Sequence, residues 1–155
     1  GSLDYDDDVL AQLDWVVASP HVALRQETKK ATDRLIKAIE NPYVNVIGHP
    51  TGRLINARAG LPLDFGRIFE AAADTDTALE INASYQRLDL AAEQAKAAVA
   101  AGCKLSINTD AHQPEGLGKL SGGIATARRG WVTKKDVVNC MTLAQLRKFV
   151  DNKRG

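Results

Sequence analysis

The stretch Lys104-Leu105-Ser106-Ile107-Asn108-Thr109-Asp110-Ala111-His112 decides how the chain is read. Leu105 and Ile107 alternate with polar residues, as in a short strand, and the run stops at Thr-Asp-Ala-His. Asp110 and His112 are two residues apart, so an extended backbone sends both side chains out on the same side. A carboxylate and an imidazole so placed can share a divalent metal. The alternative is an Asp that opens a turn and a His that closes it.

The other histidines favour the metal. His21 follows Trp15-Val16-Val17-Ala18-Ser19-Pro20, and His49 follows Val44-Asn45-Val46-Ile47-Gly48. All three His therefore sit where a buried parallel strand delivers its last residue. In parallel α/β folds ligand sites form at that edge. The pattern points to a metal or phosphate site. Gly48-His49-Pro50-Thr51-Gly52-Arg53 adds a loop able to bend around a small anion or ion, although the same residues also make an ordinary glycine-rich turn.

At 155 residues the chain is long enough for one modest domain, and 45% hydrophobic with 25% charged residues marks it as globular. A formal net charge of +1 gives no strongly nucleic-acid-seeking surface, so such a contact needs a local patch. Cys103 and Cys140 supply neither a disulfide framework nor a Cys-based zinc motif. No apolar run reaches membrane-spanning length and no signal peptide opens the chain, so the expectation is a soluble cytoplasmic protein. Gly1-Ser2 reads either as a cloning scar or as native sequence.

Strand-like and helix-like segments alternate. The acidic Asp4, Asp6, Asp7 and Asp8 suit a solvated turn or the first turn of a helix. Buried strands are expected at Trp15–Ala18, Val44–Ile47, Thr77–Asn82 and Lys104–Ile107, all parallel in one sheet. Helices are expected at 23–40, from Asp64 as N-cap through Ala72, at 90–101, over 117–129 despite its glycines, and after Thr142. Glu80 reads as lining the cavity or pairing with a basic neighbour. Arg147, Lys148, Lys153 and Arg154 are expected on the solvent side or in a frayed tail. Arg128-Arg129-Gly130-Trp131 with Lys134 and Lys135 reads either as a DNA-backbone contact or as a solvated helix end with a packed Trp. Strand–helix repeated about four times predicts an α/β fold of parallel βα units, either a small open sheet or part of a barrel.

Four motifs resemble, in order and spacing, the later motifs of the PHP (polymerase and histidinol phosphatase) domain. They are Ala18-Ser19-Pro20-His21, Ile47-Gly48-His49-Pro50-Thr51-Gly52-Arg53, Leu79-Glu80-Ile81-Asn82 and Asn108-Thr109-Asp110-Ala111-His112. Arg87-Leu88-Asp89-Leu90 and Ala127-Arg128-Arg129-Gly130-Trp131 are similar to the subgroup found in bacterial family X DNA polymerases. The resemblance implies a distorted seven-stranded β/α barrel, of which this chain supplies a partial barrel of about four parallel strands. It implies His21, His49, Asp110 and His112 as metal ligands for Mn²⁺ or Zn²⁺. The family's earlier His-x-His and Glu ligands have no counterpart before His21, where no His or Glu occurs. Residues 1–155 therefore correspond to the C-terminal portion of such a domain, with little turnover expected of the isolated piece.

The function implied is a metal-dependent phosphoesterase acting on DNA 3′ ends in the parent protein, with DNA as partner. His49 and Asp110 would act at the reacting centre. Arg53 is the candidate to grip a phosphate oxygen, because its planar fork matches that geometry. The alternatives are a small-molecule phosphatase of the histidinol-phosphate type and a non-catalytic structural or interaction module. Nothing in the sequence indicates an oligomeric state.

Overall fold

Four short parallel strands form the spine of the computed structural model, which describes residues 2–155. In chain order the elements are α1 (Asp7–Leu10), β1 (Val17–Ala18), α2 (Thr28–Ile39), β2 (Val46–Ile47), α3 (Phe65–Asp74), β3 (Ala78–Asn82), α4 (Ala92–Ala100), β4 (Leu105–Asn108), α5 (Ser121–Arg129) and α6 (Leu143–Arg154). The sheet order is β1-β2-β3-β4 with every neighbouring pair parallel, as the alternation of segments predicts. The sheet is open, the form expected of a partial barrel.

Local chemistry sets most boundaries. Asp64 caps α3 by accepting from the Arg67 amide at 3.3 Å. Thr142 and Gln145 form a reciprocal capping box on α6, with the Thr142 amide donating to Gln145 Oε1 at 2.8 Å. α2 begins at Thr28 rather than Ala23, because Ala23 takes a left-handed φ of 51° that a helix does not admit. Arg34 holds that loop by donating to the Val22 carbonyl at 2.9 Å. α5 starts at Ser121 rather than Leu117, after a 3-10 turn at Pro114–Gly116. Its glycines serve close packing: a Cβ on Gly123 would lie 2.7 Å from Ile107 Cγ2 and 2.8 Å from Ala83 Cβ.

The expected buried strand Trp15–Ala18 is a two-residue edge strand with Val17 49% exposed. Trp15 instead packs on Phe149 of α6, ring centroids 6.3 Å apart. Along the other edge Asn139 imitates a strand. Its side chain accepts from the Ile107 amide at 2.8 Å and donates to the Ile107 carbonyl at 3.1 Å. Val137 bridges Leu105 in parallel beside it. Two backbone groups of β4 are thereby satisfied without a full strand.

Strand alternation divides the sheet into unlike faces. Ile47, Leu79, Ile81 and Leu105 enter the main core with Leu35, Ile39, Ile68 and Phe69 of α2 and α3. The opposite face is apolar at its lower end, where Val46 and Ala78 meet Val138 and Phe149. Towards the C-terminal ends of the strands it turns polar, through Glu80, Asn82, Ser106 and Asn108. α6 thus covers the lower half of the face whose upper half carries buried polar groups.

Lys153, expected in solvent, is buried. Its ammonium donates to the Ile39 carbonyl, at the C-terminal end of α2, and to Thr77 Oγ1 at 2.7 Å. A cation at a helix C-terminus is favourable for the dipole, and here it anchors α6 to the core. Burial pushes the Lys153 pKa down from 10.5 to about 8, against the pull of the Asp76 and Glu40 carboxylates. Lys153→Ala removes this donor from both acceptors and is expected to cost about 1–3 kcal/mol in urea denaturation. Between pH 8 and 10.5 the unfolded chain binds more protons at this position than the folded one, so Lys153 makes stability rise with pH across that window. The Lys153→Ala chain should lose that rise; identical profiles for the two chains would refute the buried ammonium.

Candidate metal centre

The residues singled out in the sequence lie in the loops that follow the C-terminal ends of β1, β2 and β4, and one of them, His49, is bonded to a buried carboxylate. Glu80 sits on the polar face of β3, 5% exposed. Its Oε2 accepts from the His49 amide at 2.5 Å and from Asn82 Nδ2 at 3.2 Å, and its Oε1 accepts from Asn108 Nδ2 at 3.0 Å. Ser106 Oγ donates to Asn108 Oδ1 at 3.0 Å and so orients that amide. Burial pushes the Glu80 pKa up, while the three donors pull it back. Among the described residues no basic side chain pairs with Glu80; amides and a backbone N–H take that place.

His49 follows Gly48 at the end of β2 with a positive φ of 27°. A Cβ on Gly48 would lie 2.4 Å from Ser19 Oγ and 3.1 Å from Val17 Cγ1, so a larger residue at this close approach would push the Ser19 side chain of the β1 loop aside. That approach brings the His21 and His49 rings to 5.2 Å between centroids, edge to face at 75°. His49 is buried and its Nδ1 has no hydrogen-bond partner. Burial, aided by the nearby Arg87 cation, pushes its pKa down to about 4, so the ring is neutral and keeps a lone pair at pH 7.

Asp110 leaves β4 at φ 55° and its Oδ2 lies 3.3 Å from Arg87 Nε. His112 is bent back by a 2.8 Å contact between its Nδ1 and the Asp110 carbonyl oxygen. Its ring stands on the rim of a cavity of about 470 Å³, lined also by Asp110, Ser84, Tyr85, Gln86 and Lys119. Arg53 has its Nε donating to the Arg87 carbonyl at 2.6 Å and Nη2 donating to the Leu88 carbonyl. The fork expected at a phosphate is thus engaged with the loop that carries Arg87. Asp89, buried beneath that loop, accepts from the Thr51 amide at 3.0 Å and the Thr51 hydroxyl at 2.9 Å.

The structure therefore brings His21 to His49 and Asp110 to Arg87, and sets His112 at the cavity rim. Among the described residues no three His, Cys, Asp or Glu side chains are arranged as a closed metal-binding group. Arg87 and the amides of Asn82 and Asn108 were not singled out from the sequence as site residues. A charged Glu80 inside a strand buried on both faces was the one available signal for the network.

A relative in Bacillus subtilis (strain 168), DNA polymerase/3′-5′ exonuclease PolX, is 45% identical over 150 residues, which is 97% of this chain and 26% of that protein. The chain is a homologue of the PHP part of a family X polymerase. This PHP-type chain is also similar to a probable phosphatase of Thermoanaerobacter sp. (strain X514), 27% identical over 99% of the chain and 64% of that protein. A probable phosphatase of Shewanella sp. (strain ANA-3) is 30% identical over 94% of the chain and 59% of that protein. The chain spans about a quarter of the polymerase and less than two thirds of either phosphatase. No family model matches it. Among the described residues no helix is long and apolar enough to cross a membrane.

Glu80→Gln tests the network. A Gln amide faces three donors with one oxygen and one NH₂, so at least one donor meets a donor. We expect a loss of about 1–3 kcal/mol by urea denaturation, with displaced His49 ring signals in NMR spectra. A Glu80→Gln chain as stable as the wild type would show that the carboxylate does not hold this edge together.

Proposed function

We propose that residues 1–155 form the C-terminal portion of a PHP-type, metal-dependent phosphoesterase domain that acts on DNA 3′ ends in its parent protein. His49 carries the reading: a buried neutral imidazole whose Nδ1 lacks a partner, 5.2 Å from the His21 ring and within electrostatic reach of Asp110. An apolar role for this ring would leave a buried polar atom unpaid for by any bond. The donor set of His21, His49, Asp110 and His112 suits Mn²⁺ or Zn²⁺ better than Ca²⁺. The remaining ligands would come from other segments of the longer protein. The exposed edge strand β1, with Val17 half in solvent beside His21, supports further strands there.

A divalent ion held by these residues supplies Lewis acidity towards a phosphoryl oxygen. The chain's own groups do the positioning. Glu80 fixes the His49 backbone, and with it the ring. Arg87, paired with the cavity-lining Asp110, is the nearest guanidinium to offer positive charge to a phosphate bound there. Arg53 acts through Arg87 by holding the carbonyls of Arg87 and Leu88.

A small-molecule phosphatase is the second reading, favoured by the similarity to the two probable phosphatases. The test is Mn²⁺-dependent turnover of a 3′-recessed DNA duplex beside a free phosphomonoester, using this chain and the longer parent protein. We expect weak Mn²⁺ binding by calorimetry and little turnover from this chain. The parent should turn over the duplex and lose that activity on His49→Ala. Preference for the free phosphomonoester would install the second reading. Metal-dependent turnover by the parent that survives His49→Ala would remove this site from the reaction.

A further inference from the structure

The C-terminus of α5 presents a tryptophan where helices ordinarily place glycine. The Trp131 amide donates to the Arg128 carbonyl at 3.2 Å and the Val132 amide to the Ala127 carbonyl at 3.0 Å. With Gly130 as C-cap, these are the two bonds of a Schellman motif, and Trp131 occupies its left-handed position at φ 57°. A bulky side chain there is strained. Burial does not compensate, because Trp131 is 78% exposed. The packing expected of this Trp in one sequence reading is therefore not observed, while the solvated helix end of that reading is.

Arg128, Arg129, Lys134 and Lys135 surround the ring in sequence and all are exposed. Among the described residues no carboxylate lies within ion-pair distance of any of them. The whole chain carries a net charge of only +1, so this turn concentrates positive charge on a molecule that is net negative elsewhere. The turn also lies away from the candidate centre. Ser121, at the other end of α5, bonds the Tyr85 hydroxyl at 2.8 Å on the wall of the cavity, and nine helical residues span about 13 Å. Lys104, immediately before β4, donates to the Lys135 carbonyl at 3.0 Å, which fixes the turn at the N-terminal edge of the sheet.

We propose that this turn is a second binding surface, for a single-stranded nucleic acid, with a base stacked on Trp131 and the flanking phosphates met by Arg128, Arg129, Lys134 and Lys135. Cations alone would serve an acidic peptide. An exposed indole held in a costly backbone conformation supplies what a peptide carboxylate does not use and a nucleobase does. The surface is independent of the phosphoesterase reading, since it shares no residue with that site.

The test is fluorescence anisotropy of a short fluorescein-labelled oligo(dT) titrated with the chain at several salt concentrations. Saturable binding is expected, with a log–log salt slope of about −3 for four phosphate contacts. Trp131→Gly should weaken binding roughly tenfold while raising the melting temperature by a few degrees, because glycine relieves the left-handed strain. Trp131→Phe should retain most of the affinity. If Trp131→Gly fails to fold, the exposed pair Lys134→Glu and Lys135→Glu replaces it, with a loss of at least the same size expected. Absence of binding, or binding unchanged in these variants, overturns the proposal. So does equal affinity for duplex DNA, or displacement by polyglutamate as effective as by unlabelled oligo(dT), which would assign the turn to an acidic protein surface.

Discussion

A buried carboxyl group held by amide donors constrains the upper half of this fold. Glu80 is satisfied only if β2, β3 and β4 end in register, because its three donors come from the loop after β2, from β3 itself and from the end of β4. Losing one donor leaves a carboxyl oxygen unpaired in a poorly solvated place, which costs more than an ordinary hydrogen bond contributes. The same requirement fixes the backbone at His49, and the close approach at Gly48 then sets His49 against His21. The position of His49, and of its ring beside His21, is thus tied to satisfying Glu80.

The lower half of the same sheet face is solved differently. Val46 and Ala78 need apolar cover, and α6 brings Phe149 to provide it. α6 is in turn fixed by Lys153, whose ammonium closes the C-terminal end of α2. One face therefore carries a dry, packed region and a polar one only a few residues apart along each strand. A sheet with period-two alternation can do this because residues two apart share a face but need not share a partner.

Arg53 and Arg87 show how a site differs from a motif. The sequence places Arg53 beside His49 in a glycine-rich loop, and proximity in sequence suggested a phosphate contact. In space the Arg53 fork meets two carbonyls of the loop after β3, and Arg87, from that loop, meets Asp110. A guanidinium takes carbonyl or phosphate oxygens with the same planar geometry, so local sequence cannot say which it will meet.

The sequence by itself determined the alternation of strands and helices, their parallel order, the caps at Asp64 and Thr142, and the position of each histidine just past an apolar run. These follow from local rules: side-chain period, capping chemistry, and the need of parallel strands for crossovers. The family resemblance was legible for the same reason, as short motifs at strand ends. Only the tertiary structure decided that Glu80 is held by amides, that Lys153 is interior and Trp131 exterior, and that Arg87 rather than Arg53 stands beside Asp110. The long polar contacts among these depend on which side chain reaches which acceptor in another element, as Lys153 does to Ile39 and Arg53 to Arg87. Such pairings are set by the packing of whole elements, and no periodicity within one segment encodes them.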